Sequence, residues 1–339
     1  MKEVSTIGLD LAKKVFEVHG IDAAGEVVIH RTVRRSRLMA FFGKLPPCLV
    51  GMEACATAHH WARELGKLGH RVKLIPPAYA KAYVRRNKND AADAAAICEA
   101  VGRPSMRFVE VKTEAQQAAA CIHKVREMMM KQRTMLINGL RGLMAEFGIV
   151  VAEGTRHVVE LEAILADPEK QRIPSPLHGG LVRMAQCLRS LERQIEGIDK
   201  QLVDWGRGNA TCRHLITAPG YGPILSSAMA AMVIKPEVFR SGRDFSASLG
   251  LVPRQDGTGG KVKLGPISKR GNGYLRRLLV NGAMSVLNSK RAKQDPWLVK
   301  LLASKERMVV AVALANKMAR IGWVLMMRQE DYRASTAAA

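Results

Sequence analysis

Apolar and polar positions alternate over the first third of the chain, and the spacing then lengthens to that of helices. Runs at 5–10, 14–19, 26–33, 48–53 and 71–75 predict strands, with helical patterns near 36–44, 57–68 and 77–86. Three early strands in a row, then strand–helix–strand, predict a mixed sheet with helices on its faces. The middle is helical. Thr113 is the expected N-cap, and Ala118, Cys121, Ile122, Val125, Met128, Met129, Leu136, Leu140, Leu143 and Phe147 follow at helical spacing. Pro174 and Pro176 interrupt the pattern. Beyond them Leu181, Met184, Leu188, Leu191, Ile195, Ile198, Leu202 and Trp205 alternate steps of three and four residues. That seam predicts a coiled coil, with a core helix inside one domain as the alternative. Pairing within one chain and pairing between protomers both remain open.

A third region begins near Arg213. His214 to Pro223 ends in Pro219-Gly220-Tyr221-Gly222-Pro223 and precedes an Ala/Met-rich helix from Ile224 to Val233. Pro-Gly-x-Gly between helices is similar to a helix–hairpin–helix element, whose backbone N–H groups at Gly220 and Gly222 suit a phosphate. From Arg254 to Lys293 there are ten Lys or Arg residues against the single acid Asp256. The stretch holds two glycine-rich segments, Asp256-Gly257-Thr258-Gly259-Gly260-Lys261 and Ser268-Lys269-Arg270-Gly271-Asn272-Gly273. Glycine beside cations lets backbone approach a phosphodiester closely. Arg254, Lys261, Lys263, Lys269, Arg270, Arg276 and Arg277 are therefore the expected nucleic-acid contacts. Met308 to Met327 is again helical, and Ser335 to Ala339 is expected to fray.

Charge sharpens this picture. The 339 residues carry 53 Lys and Arg against 30 acids, a net +23. So large an excess marks a polyanionic partner, with a solvated basic surface as the plain alternative. Cys48, Cys55, Cys98, Cys121, Cys187 and Cys212 include no CxxC pair, which predicts reduced thiols and a cytoplasmic protein. His59 and His60 near Cys55 are expected to be structural. The beginning of the chain does not read as a signal peptide, no uninterrupted apolar run predicts a membrane span, and no membrane partner is expected.

Against this basic background four acids are distinctive. Asp10 ends the run Ser5-Thr6-Ile7-Gly8-Leu9-Asp10, and Glu53 ends Cys48-Leu49-Val50-Gly51-Met52-Glu53. Asp90 and Asp93 stand at i, i+3, on one face of a helix from about Asp90 to Val101. The strand order expected of an RNase H-like fold makes the first and fourth strands neighbours. Asp10 and Glu53 then meet at one sheet edge, and the helix brings the other two acids to them. Such hard oxygen ligands suit Mg²⁺ or Mn²⁺, and a carboxylate-held metal pair on a basic protein points to phosphodiester chemistry. Each acid also has an ordinary reading, Asp10 as a turn residue and Asp90 as a helix cap. Thr258, between glycines and near Lys261, is a candidate hydroxyl nucleophile or a simple loop residue, with Ser241, Ser246, Ser248 and Ser268 nearby.

GLDLAK, GMEACATAHHWA, KNDAADA, PGYGP and GLVPRQDGTGGKVKLGPISKRGNGYLRRLLVNGA, in this order, resemble the DEDD transposases of the insertion-sequence-110 family, 1111 subgroup, related to the invertase Piv. The resemblance spans nearly the whole chain. It implies an α/β plus α architecture in three parts. Residues 1–112 would form a domain similar to the Holliday-junction resolvase RuvC, residues 113–210 a helical coiled coil, and residues 211–330 a mainly helical transposase domain, followed by a tail at 331–339. It further implies that Asp10, Glu53, Asp90 and Asp93 are the metal-binding tetrad. The family's serine nucleophile, which links covalently to DNA, falls on Thr258 when counted without gaps from Gly250, and a one-residue shift reaches Gly257. Ser246 and Ser268 are the fallbacks. A structured guide noncoding RNA (bridge RNA, or seekRNA), DNA, and a homodimer or homotetramer are the implied partners, at the bacterial nucleoid. A structure-selective nuclease using water and a non-catalytic nucleic-acid scaffold are the rival readings.

Overall fold

The computed structural model describes residues 3–77, 79–80, 90–154, 157–167, 173–258 and 261–334. The expected pattern at 77–86 lies mostly outside them, as do Gly259, Gly260 and the segment 335–339. The chain divides into two compact units, Met1–Glu114 and Ala115–Ala339.

In the first unit the strands are β1 (Thr6–Leu11), β2 (Val15–Ile21), β3 (Val27–Arg34), β4 (Leu49–Glu53) and β5 (Arg71–Ile75). They form one sheet in the order β3-β2-β1-β4-β5. β1 and β2 are antiparallel, as are β2 and β3, whereas β1–β4 and β4–β5 are parallel. The short connections early in the chain permit hairpins, and the later crossover through a helix permits parallel pairing. The helices are α1 (Leu38–Phe42), α2 (Ala58–Lys67) and α3 (Asp90–Val101). One face of the sheet buries Leu9, Phe16, Val18 and Met52 with Trp61 and Leu65 of α2. Alternation of inward apolar and outward polar residues places these side chains together.

The second unit begins with α4 (Glu114–Ala145), directly after Thr113, and continues through α5 (Val158–Ala166) to α6 (Ser175–Arg207). Leu140 and Met144 of α4 share a core with Leu161 of α5 and with Leu181, Ala185 and Leu188 of α6. Arg126 in the first half of α4 pairs with Asp199 in the last third of α6. The two long helices therefore run antiparallel within one chain. Of the seam residues, Leu181 and Leu188 lie in this shared core, and Leu191, Ile195 and Leu202 are also buried.

The remainder comprises α7 (Ala210–Leu215), α8 (Pro223–Met232), α9 (Gly242–Ser248), a hairpin of β6 (Pro253–Thr258) and β7 (Lys261–Ile267), α10 (Gly273–Leu287), α11 (Arg291–Gln294), α12 (Pro296–Leu302) and α13 (Arg307–Arg328). The helix at Met308–Met327 and the mainly helical character of this region were expected; the hairpin was not. Its signal is the period-two run Lys261-Val262-Lys263-Leu264 after a Gly-Gly pair. By length and composition α13 is apolar enough to cross a membrane. In the fold it carries exposed Lys317 and Arg320, while Ala311, Ala315, Met318 and Ala319 form the core with α8 and α10. Burying one such helix stripe explains the apolar composition.

Candidate active site

Asp10 lies in β1 beside the parallel strand β4. Leu9 pairs with Met52, so Asp10 and Glu53 are the next residues on adjacent strands. Helix α3 crosses the same strands. A Cβ on Gly8 would stand 2.0 Å from the Ala94 carbonyl oxygen and 2.4 Å from the Cys98 nitrogen, and one on Gly51 would stand 2.7 Å from the Val101 Cβ. Helix backbone therefore rests almost on strand backbone, which only glycine allows. Buried Ala94, Ala96 and Ala100 on α3 help the close approach. The first turn of this seated helix holds Asp90 and Asp93 over Asp10.

Ligand oxygens of Asp10, Asp90 and Asp93 all lie within 4.8 Å of one another. The Asp10 carboxyl is pushed up to about 6, first by burial and then by repulsion from Asp93, Asp90 and, more weakly, Glu53; the Leu11 backbone N–H opposes this. Oδ1 of Asp93 is buried without a hydrogen-bond partner among the described residues. An orphaned carboxylate oxygen costs free energy unless a cation or donor satisfies it. Repelling oxygens and this orphan fit a hard divalent cation. Half-buried Glu53 lies outside the group of three, although its charge is felt at Asp10. Cys55 was missed in the sequence as a neighbour of the site. Burial pushes its thiol up, and the charges of Glu53 and Asp10 push it further. His59 is structural, since its Nδ1 accepts the Lys112 backbone N–H at 3.2 Å.

The hydroxyl candidates separate. Ser246 is buried and donates to the Arg243 carbonyl at 3.0 Å. Ser241 caps α9 by accepting from the Asp244 N–H, Ser248 donates to the Phe245 carbonyl, and Ser268 is half-buried. Thr258 ends β6 at the far end of the hairpin, in register with Lys261, and Gly257 pairs with Val262.

The expected nucleic-acid contacts divide as well. Arg254, Lys263, Lys269 and Arg270 are exposed. Arg276 is committed to protein, donating to the Leu249 and Arg270 carbonyls, both at 2.9 Å. Arg277 reaches Glu127 at 2.8 Å and lies over the Tyr274 ring. Most of the glycines approach protein rather than leave room for a ligand. A Cβ on Gly271 would stand 1.8 Å from the Ser248 carbonyl oxygen, and one on Gly220 would stand 2.6 Å from Met318 and 3.0 Å from the Gly282 carbonyl oxygen. Gly222, at the open N-terminus of α8, has nothing within 4 Å of that position.

A sheet edge bearing clustered carboxylates, in so basic a chain, is suited to metal-assisted chemistry on phosphodiesters. Comparison with known proteins makes that class specific. The DEDD transposase profile of the IS110 group matches residues 7–149, and that of the Transposase IS116/IS110/IS902 family matches residues 212–297. The chain is 48% identical over 335 residues to the Probable family 20 transposase of Pseudomonas aeruginosa, covering 97% of this chain and 99% of that one. It is 41% identical to the transposase for insertion sequence element IS1328 of Yersinia enterocolitica, covering 96% and 97%. It is 39% identical to the transposase for insertion sequence element IS1111A of Coxiella burnetii, covering 98% and 92%. The chain is a transposase. It belongs to the IS110/IS116 family of insertion-sequence enzymes.

Proposed function

We propose that this transposase cuts and rejoins DNA through an RNase H-like, RuvC-like site in which Asp10, Glu53, Asp90 and Asp93 hold Mg²⁺ or Mn²⁺. The convergence of three carboxylates within 4.8 Å carries the reading, and the unpartnered Asp93 oxygen supports it. A bound divalent ion supplies charge stabilisation at the reacting phosphate. Asp10 and Asp93 orient it from strand and helix, and Glu53 completes the set from β4. Thr258 supplies the hydroxyl. Its oxygen bonds to phosphorus, the phosphodiester P–O bond breaks, and the leaving strand oxygen takes up a proton, so the protein is left linked to DNA. The burial of Ser246 favours Thr258 among the candidates. Arg254, Lys261, Lys263, Lys269 and Arg270 hold the phosphodiester backbone, with Gly220 and Gly222 shaping the turn before α8. A structured guide noncoding RNA selects the DNA, and the protein acts as a homodimer or homotetramer.

Asp10→Asn or Asp93→Asn should abolish cleavage while leaving DNA affinity and folding intact, a loss of several kcal/mol of transition-state stabilisation, roughly three orders of magnitude in rate. Wild-type cleavage in either variant with Mg²⁺ present removes the acids from the mechanism. Thr258→Ala should abolish a covalent protein–DNA adduct that Thr258→Ser retains. An adduct mapped by mass spectrometry to Ser268 reassigns the nucleophile, and cleavage without any adduct favours water. Sequencing of co-purified nucleic acid tests for the guide RNA.

A further inference from the structure

Beside the β6–β7 hairpin the second unit holds a cavity of about 1800 Å³. It runs along α13 from Met308 to Arg328, about 30 Å of helix at the α-helical rise, and ends against Pro253 and Ile267 at the base of the β6–β7 arm. Its composition is divided. Val309, Val312, Ile321, Val324, Trp297 and Trp323 give it an apolar and aromatic lining, and Val309 is 53% exposed. Arg243, Lys317, Arg320, Arg328 and Arg333 add cations. The acids among the lining residues, Glu330 and Asp331, are engaged with Arg328 and His214. Arg243, Arg320 and Arg333 form no ion pair among the described residues.

We infer that this groove binds a single strand of DNA, with bases laid on the apolar lining and phosphates on the arginines. Three arguments select that occupant. A groove with unpaired guanidinium groups calls for an anion, and the chain's own net charge of +23 makes a second copy a poor match. A duplex offers phosphates but keeps its bases stacked, so it would leave the apolar lining exposed to water. An unpaired strand offers both, and base stacking on aromatic side chains beside arginine is the established physical basis of sequence-tolerant single-strand binding. The indole of Trp297 already carries a cation, Lys317 Nζ at 4.5 Å from its ring centroid, in the manner of a mixed stacking and charge site. The choice of DNA rests on family membership and not on the assignment of the tetrad or of Thr258.

The test is equilibrium binding to the full chain in EDTA, so that failure of the metal site has no influence on it. Fluorescence anisotropy compares an oligothymidylate of about twelve nucleotides with a duplex of equal length. The paired change Arg243→Gln with Arg320→Gln, and separately Val309→Glu at an exposed position, should each weaken single-strand binding about tenfold and change duplex binding less than about twofold. Retained duplex binding also reports that the variants are folded. Trp297→Phe should keep most of the affinity, and Trp297→Ala should lose it. The inference is overturned by unchanged single-strand affinity in both variants, or by an equal loss on duplex, which would make the groove a plain phosphate patch. Tighter binding of oligouridylate through the same residues overturns the choice of DNA. Loss of self-association in Val309→Glu with single-strand affinity intact assigns the groove to a second copy instead.

Discussion

Gly8→Ala is a single methyl group placed where the structure has no room for it. The added Cβ would stand 2.0 Å from the Ala94 carbonyl oxygen, and ordinary contact begins near 3.4 Å. Both neighbouring atoms at Ala94 and Cys98 are backbone, so no rotamer change relieves the clash. Helix α3 must retreat by about 1.4 Å from the strand. Overpacking of this kind costs about 1–3 kcal/mol of stability. The effect on activity should be larger in proportion, because Asp90 and Asp93 travel with the helix while Asp10 stays on β1. Metal sites tolerate ligand displacements of only about 0.2 Å, and a misplacement near 1 Å commonly costs about a hundredfold in rate. The assay is strand cleavage across a Mg²⁺ titration, with thermal unfolding measured on the same samples. The expected result is a folded protein with at least a hundredfold slower cleavage and a raised Mg²⁺ half-saturation. Gly66→Ala is the control, since its Cβ meets nothing within 4 Å in α2 and helix propensity makes it neutral or slightly stabilising. Wild-type cleavage and unchanged Mg²⁺ dependence in Gly8→Ala would refute the claim that this glycine sets the carboxylate geometry.

Lys269→Gln with Arg270→Gln should flatten the log–log salt dependence of DNA binding by about 0.7–0.9 for each phosphate no longer neutralised, with little effect on melting. Arg276→Gln should do the opposite, costing about 1–3 kcal/mol of stability because its guanidinium holds the Leu249 and Arg270 carbonyls, with a salt slope near wild type. A steeply altered slope in Arg276→Gln would mean that its carbonyl contacts are incidental. His123 is buried, with Nδ1 3.0 Å from the Tyr274 hydroxyl and Nε2 3.2 Å from Ser227 Oγ, and burial pulls its pKa down to about 4 from 6.5. The unfolded chain therefore takes up a proton that the folded chain refuses. Stability is full above 6.5 and should fall by about 3 kcal/mol as pH drops from 6.5 through about 4. Denaturant melts of wild type and His123→Gln across that range check it, and parallel pH profiles would show that another group is responsible.

Strand periodicity located β1 and β4 because period-two burial is a local property of sequence, and the strand order expected of an RNase H-like fold then put them side by side, with Asp10 next to Glu53. The i, i+3 spacing likewise put Asp90 and Asp93 on one helical face. What periodicity does not carry is the distance between layers. Gly8 and Gly51 read as ordinary strand glycines until the helix that crosses them is known. The same limit applies at Gly271 and Arg276, which in sequence belong to a basic glycine-rich stretch suited to phosphate. Their partners, the Ser248 and Leu249 carbonyls, are brought in by a tertiary turn that leaves no mark in composition. The hairpin was obscured for a different reason, because the glycines and lysines of this stretch resemble a loop when tested for hydrophobicity alone.

The hairpin also bears on how this protein can change over generations. Gln255, Gly257, Lys263 and Leu264 are exposed along the arm, and Leu264 retains 62% of its surface in water. Substitutions along it remove little burial, so they pass the folding threshold that purges most mutations. A change at Gly8 meets that threshold at once. Selection at the arm is therefore free to act on what its exposed side chains touch, and a lineage can alter them without losing the fold.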